Sequence, residues 1–428
     1  MADSLLIRGG RVIDPASGLD EVTDLLIRDG QIVEFGPDRR AADKAAETLD
    51  AKGLIVCPGF IDMHVHLREP GQAYKESIAT GTQAAAAGGF TSVCCMPNTA
   101  PVNDSPEITS WMQAPERGAV VNVFPVAAAT RGSQGKELTD YRELRRAGAV
   151  AVSDDGKPIL DDEVMEEALH LAAKVGFPVI QHAEDSHMTA GASMNAGPVS
   201  FRLGLRGWPN EAEAGVVARD IDLARRTRAQ LHVAHISTLE ALEDVQRARL
   251  AGVRVSCEVT PHHFTLIDEN VGEYNTHYKM NPPLRSAEDR DAMIKGLMDG
   301  SIDCIATDHA PHARHEKEVE FDKAAFGITG LETALAIAIT ELHQKRKMPL
   351  KRIIELFATN PAKILGLRGR GTFDKSAPAD ITIFDPKATW KFQASQSKSK
   401  SRNTPYDGQE FTGRVVATVV GGAIVFRA

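Results

Sequence analysis

Eight short apolar runs, separated by helix-like stretches, constrain this sequence more than any other feature in it. The runs are LIVCPGFIDMHVH, FTSVCCMPNT, VVNVFPVAAAT, AVAVSDD, FPVIQH, LHVAHIS, VRVSCEVTPHH and IDCIATDH. Stretches rich in Ala, Leu, Glu and Arg follow them, among them LDDEVMEEALHLAAKVG and TLEALEDVQRARLAG. That rhythm predicts βα units around a parallel sheet, and eight such units suggest an α/β protein with a closed (β/α)8, TIM-like barrel. An open doubly wound sheet would have fewer strands and a glycine-rich phosphate loop, and no such loop opens a helix here. Outside the barrel, SLLIRGGRVID and VTDLLIRDGQIVEFG at one end, and ADITIFDP and GRVVATVVGGAIVFRA at the other, have the texture of small strands and hairpins. The two termini are therefore expected to build one small β domain together.

A net charge of −9 and a pI near 5.9 argue against a nucleic-acid or anionic-membrane binder, because neutralising phosphates needs clustered positive charge. A small molecule is the expected partner. The one basic run, SKSKSR at 397–402, reads as a solvated loop. The start, MADSLLIRGGRVID, lacks a basic n-region and a sustained apolar stretch, so the expected location is cytoplasmic. Cys57, Cys94, Cys95, Cys257 and Cys304 are odd in number and show no C-x-x-C spacing, which predicts buried reduced thiols.

Polar residues collect where the runs end, in MHVH, MPNT, SDD, QH, AHIS and ATDH. In a barrel these ends all open onto the C-terminal face, where residues from different strands meet. His64 and His66 are two apart, so on a strand both side chains leave the same face. With His182, His235, Asp308 and one aspartate of the SDD run they form an inventory of imidazoles and carboxylates suited to zinc, and so to a metal hydrolase. Alternation alone leaves Asp154 and Asp155 undecided. His232 lies three residues before His235 and should face the other way, beneath the helices. His262 and His263 read as structural residues of a strand-to-loop turn. Arg68, two residues past His66, can fork onto a carboxylate just outside the metals.

GFIDMHVHLREPG, TSVCCMPNTAPV, SDDGKP, EVTPHHFTL, KMNPPLR, IATDHAPH, FGITGLETAL, TNPAKILGL and NTPYDGQEFTGRVVATVVGG resemble, in order, segments of the class I bacterial dihydroorotases. These are cyclic amidohydrolases of pyrimidine (UMP) biosynthesis. The resemblance implies a barrel over residues 56–370 and a β-sandwich built from residues 1–55 and 371–428. It implies Asp155, directly before the glycine, as the bridging aspartate. One Zn2+ would be held by His64, His66 and Asp308, the other by His182 and His235. The implied reaction interconverts N-carbamoyl-L-aspartate and L-dihydroorotate, with a metal-bridging hydroxide as nucleophile and Asp308 as general base and acid. The family's carboxylate contacts map to Arg68, Asn98 and His312, and Asn281 falls where the ring's amide edge is met. Glu69 is left as a loop cap or surface residue. The charged stretch APHARHEKEVEFDKAAFGITG is expected to act as a lid.

Two alternatives stand beside this reading. Hydantoinases, dihydropyrimidinases and allantoinases share the plan but carry a carboxylated lysine as bridge, and Lys157 is the one lysine near enough in sequence. Some dihydroorotase-like chains are instead non-catalytic scaffolds for aspartate transcarbamoylase. The resemblance leaves open a homodimer, and also an association with aspartate transcarbamoylase that completes the enzyme.

Overall fold

Every expected run contains a strand of the barrel. In the computed structural model, which describes residues 4–37, 45–375 and 377–428, these strands are Phe60–Val65, Phe90–Cys95, Asn122–Ala127, Ala151–Val152, Pro178–Gln181, Gln230–Val233, Val255–Val259 and Cys304–Ile305. They pair in parallel in chain order. The ring closes where Val65 bridges His309 and the His66 N–H donates to the His309 carbonyl at 2.9 Å.

The period of two sorts the strand residues. Ile61, Cys94, Val126, Ala151, Ile180, Ala234 and Cys304 pack in one inner apolar cluster. Val93, Ala127, Val179, Leu231 and Val259 belong to the larger cluster shared with the helices. Pairing of the first two strands is irregular between Asp62 and Val65, so Met63 stays in the inner cluster while its neighbour His64 also reaches the barrel mouth. Helices return between strands with good caps. Ser77 and Thr80 cap Ile78–Ala87 reciprocally, and Asp161 caps Asp162–Val175, which stops at Gly176 with φ 83°.

The termini meet in one eight-stranded, mostly antiparallel sheet. Its seam is Ile55–Pro58, parallel to Ser4–Asp14 on one side and antiparallel to Ile381–Lys391 on the other. The run LIVCPGFIDMHVH is therefore divided at Gly59, slightly beyond the expected boundary, with IVCP in the terminal sheet and FIDMHV in the barrel. A Cβ on Gly59 would lie 2.1 Å from Thr91 Oγ1, so the crossing between the two sheets has room only for glycine.

The SKSKSR run is not the free loop expected. Its cations are exposed, but Ser399 and Ser401 are buried, Ser399 donating to Glu76 and Ser401 to the Lys75 carbonyl at 2.6 Å. Hydroxyls on alternate residues can satisfy groups at the barrel rim while the lysines between them stay in water. All five cysteines are buried free thiols, and burial pushes Cys95 and Cys257 up to about 12. Among the described residues no helix is long and apolar enough to cross a membrane.

Candidate active site

Strand ends deliver the candidate ligands to one place. His64 is the penultimate residue of the first barrel strand and His66 follows its end; Asp155, His182, His235 and Asp308 come just after the fourth, fifth, sixth and eighth strands. Left-handed backbone at Arg68 (φ 61°), His235 (φ 29°) and Asp308 (φ 45°) bends the chain away from strand geometry at these points. Such conformations cost energy in non-glycine residues and persist where the surroundings enforce them, typically at functional sites.

Asp155 lies centrally. Its Oδ1 is 3.3 Å from His64 Nε2 and 3.5 Å from His182 Nδ1, and its Oδ2 is 3.7 Å from His66 Nε2. Asp308 Oδ1 is 3.0 Å from His66 Nε2 and 3.7 Å from His64 Nε2. His182 Nδ1 and His235 Nε2 face one another at 2.9 Å. Ligand atoms of His64, His66 and Asp308 lie within 4.8 Å of one another, as do those of His64, Asp155 and His235. His64 Nε2 is buried without a hydrogen-bond partner. So many nitrogen and carboxylate donors aimed at one point fit a divalent metal, which would satisfy their lone pairs together.

Burial alone would raise Asp155, but His64, His182 and His66 outweigh it and hold the carboxyl well below its ordinary range. His182 would be lowered by burial, yet Asp155 and Glu184 bring it up to about 10. His235 goes the other way, pushed well down by burial and by the neighbouring His182 and His64.

Remote ring nitrogens are anchored too. His64 Nδ1–H donates to Glu258 Oε1 at 3.0 Å, His66 Nδ1–H to Asn98 Oδ1 at 2.9 Å, and His182 Nε2–H to Glu184 Oε2 at 3.0 Å. Each bond holds one N–H away from the site, so that the other nitrogen faces the site and presents a lone pair there in the neutral ring. Neither Glu258 nor Glu184 is singled out by the sequence reading above. The available signal was a lone acid inside the apolar strand VSCEV, since a carboxylate buried there needs partners.

Several neighbours are sorted by their contacts. Asp154 caps a loop, accepting from Thr130 N–H at 3.0 Å and from the Thr130 hydroxyl. His232 is not beneath the helices. It points inward and donates from Nε2 to Glu258 Oε2 at 3.2 Å, whereas the left-handed turn at His235 interrupts the alternation and brings that ring to the mouth as well. His263 bonds Thr260 Oγ1 at 2.8 Å and the Pro282 carbonyl at 3.0 Å, a turn residue. His309 faces Glu76 at 3.4 Å and accepts from Gly330 N–H. Lys157 is exposed, outside the ligand cluster. Glu69 accepts from Ile78 N–H at 2.8 Å, capping a helix.

The chain matches the family model described as dihydro-orotase-like over residues 53–241. It is 51% identical over 421 residues to a dihydroorotase of Solibacter usitatus, covering 98% of this chain and 97% of that one. It is 50% identical to a dihydroorotase of Geobacter metallireducens over 99% of this chain and the whole of the other. The chain belongs to the dihydroorotase family. Two solved structures share the architecture of this family member. One is the L-hydantoinase of Arthrobacter aurescens, with TM-score 0.88 and 26% identity over 100% of this chain and 96% of that one. The other is a dihydropyrimidinase of Brevibacillus agri, with TM-score 0.84 and 25% identity over 99% and 95%.

In this dihydroorotase-family chain a cavity of about 200 Å³ opens over the ligand cluster, lined also by Arg68, Asn98, Asn281, His312, Phe326 and Gly327. Arg68 is tied by Nε to the Pro311 carbonyl at 3.1 Å, with Nη2 3.3 Å from His312 Nε2. Burial and the nearby Arg68 push His312 down to about 3, so its ring is neutral, and Nε2–H donates to the Phe326 carbonyl at 2.7 Å. Asn98 is already engaged, its Nδ2 donating to Asp155 Oδ2 at 3.0 Å, so it braces the ligands as well as lining the cavity.

The stretch 310–330, expected as a lid, lines this cavity with Ala310, His312, Phe326 and Gly327 and is held by two buried lysines. Lys317 Nζ donates to the carbonyls of Lys279, Ala325 and Gly327 at 3.2, 2.8 and 3.1 Å, and Lys279 Nζ to those of Phe321 and Asp322 at 2.7 and 3.0 Å. Gly327 (φ 124°) passes so close that a Cβ would lie 2.6 Å from Ala310 Cβ. Asn403, from the C-terminal segment, joins both ends of the lid, donating to the Ala310 and Gly327 carbonyls and accepting from His312 N–H.

Proposed function

We propose that this chain is a dihydroorotase, interconverting N-carbamoyl-L-aspartate and L-dihydroorotate in pyrimidine biosynthesis by opening or closing one cyclic amide bond. The observation that carries this reading is a single cavity with the cluster of imidazoles and carboxylates at its floor and the Arg68 guanidinium at its wall. Zinc is the metal proposed. His64, His66 and Asp308 would hold one ion, His182 and His235 the other, with Asp155 shared.

When bound, the ions polarise the amide carbonyl and make a water molecule acidic enough to attack it. The chain does the rest. Arg68 binds the α-carboxylate that both substrates carry, through paired N–H donors on a guanidinium already fixed by Pro311 and packed beside His312. Asn281 meets the amide edge of the ring. Asp308 takes the proton released as water adds to the carbonyl carbon, and returns it to the ring nitrogen as the C–N bond breaks. In the biosynthetic direction the carbamoyl nitrogen gives up that proton to Asp308 and closes on the carboxyl carbon, whose C–O bond breaks so that its oxygen leaves as water carrying the same proton. The neutral His312 and the lid, with Phe326 and Gly327 against the cavity, shield the reacting atoms from water.

Turnover of dihydroorotate, hydantoin and dihydrouracil by the purified chain tests the reading. Strong preference for dihydroorotate is expected because only that ring carries a carboxylate for Arg68, and faster turnover of either uncharged ring would contradict it. The exposure of Lys157 and the central place of Asp155 both favour the dihydroorotase reading over a hydantoinase-like one.

A further inference from the structure

Glu184 sits just behind the cavity wall, three residues past the fifth barrel strand, Pro178–Gln181, and is buried. One carboxylate oxygen serves two neighbours. Oε2 accepts from His182 Nε2–H at 3.0 Å and from Asn281 Nδ2 at 3.0 Å, while Oε1 accepts from the Thr189 hydroxyl at 2.5 Å. An ionised carboxylate can only accept, so both neighbours lose their freedom of orientation. His182 keeps its Nε2–H on Glu184 whether or not the ring is charged, so Nδ1 is the nitrogen that faces Asp155 and His235 and offers its lone pair once its own proton is given up. Asn281 must turn its NH2 group back to Glu184. Its Oδ1 is then the atom left for the cavity that Asn281 and His182 both line, and that oxygen is buried without a partner.

We propose that Glu184 is a positioning residue that fixes Asn281 as a hydrogen-bond acceptor towards substrate, so that the site selects a ring N–H, and that couples this selection to the lone pair of His182. The proposal deepens the dihydroorotase reading and rests on it. A ring alkylated at that nitrogen would leave a buried acceptor unpaired, the costliest kind of mismatch for a polar site.

The test compares wild type with Glu184→Ala and Glu184→Gln, reading KM and kcat for dihydroorotate, zinc affinity by competition with a chromophoric chelator, and melting of the zinc-free chain. Gln can keep an acceptor oxygen on both His182 and Asn281 by turning its NH2 towards Thr189, whose hydroxyl then accepts; only the negative charge is lost. For Glu184→Ala we expect KM to rise roughly 10-fold or more and zinc affinity to fall by about 10- to 100-fold. For Glu184→Gln we expect KM within about threefold of wild type with zinc affinity still reduced. Wild-type KM and zinc affinity in the Ala variant would overturn the proposal, as would a Gln variant with KM as impaired as Ala. Where Ala does not fold, the isosteric Gln variant decides: weakened zinc binding at unchanged KM is expected, and loss of both or of neither overturns it. A wild-type chain that turned over no dihydroorotate would bring down the functional reading and this proposal with it, a result seen before any substitution is made.

Discussion

His64 and Glu258 meet at 3.0 Å at the bottom of the site, and the same carboxylate holds His232 at 3.2 Å with its other oxygen. Ser256 Oγ lies 2.8 Å from the far nitrogen of His232, so a chain of hydrogen bonds runs from the half-buried Ser256 through His232 and Glu258 to the ligand cluster. Burial would raise Glu258, but its two histidine partners outweigh that and hold it down at about 2. An ionised carboxylate in an apolar barrel is tolerated because both oxygens are satisfied by ring N–H donors. We expect Glu258→Gln to weaken zinc binding by about 10-fold or more, read by chelator competition, because His64 loses the charge behind it. Unchanged affinity would mean that the contact only fills space.

Asp308 is placed to do chemistry as well as to bind. Its carboxylate touches His66 at 3.0 Å and lines the cavity. Asp308→Ala should lose at least about a thousandfold in kcat while retaining most of its zinc, because five other donors remain. Metal analysis beside single-turnover kinetics checks both halves. Near wild-type turnover would remove Asp308 from the proton-transfer role.

For Arg68 the expected effect is on binding. Arg68→Met keeps much of the volume and removes the forked donors, so KM for dihydroorotate should rise by roughly 10- to 100-fold, the loss of a charge-assisted pair. Turnover of hydantoin should change far less. Equal loss on both substrates would show that the substitution disturbs the site in general.

Lys317 gives the lid a pH signature. Burial, and the neighbouring Lys279, push its ammonium down from 10.5 to about 7. Between those values the unfolded chain holds a proton that the folded chain has released, so this residue's contribution makes stability rise with pH across the window. Urea unfolding at about pH 7 and about pH 9 should show a larger gain for wild type than for Lys317→Met. Parallel gains would contradict the assignment. The variant should also lose activity, since the Ala325 and Gly327 carbonyls of the lid and the Lys279 carbonyl beneath it lose their donor.

Much of this arrangement is legible in the chain because barrel geometry turns order into position. Eight apolar runs and their polar ends suffice to gather His64, His66, His182, His235 and Asp308, since strand ends of a parallel barrel share one rim. Alternation, however, holds only while the strand lasts. The irregular pairing before Val65 and the left-handed turn at His235 shift the phase, which is why His232 lies inside when simple counting places it outside. Glu258 and Glu184 escape sequence reasoning for another reason: an acid that braces a histidine carries no local pattern and is recognised only when its partner is seen. The burial of Ser399 and Ser401 depends likewise on Glu76 and Lys75, more than three hundred residues away.

The most direct test of the account is a crystal structure of the chain with dihydroorotate, with anomalous data collected at the zinc edge. We expect zinc density about 2.0–2.1 Å from the nitrogens of His64 and His66, with an Asp155 oxygen among its ligands and the substrate carboxylate on Arg68. An anomalous map with no peak between His64, His66 and Asp155, and dihydroorotate bound away from Arg68, would contradict it.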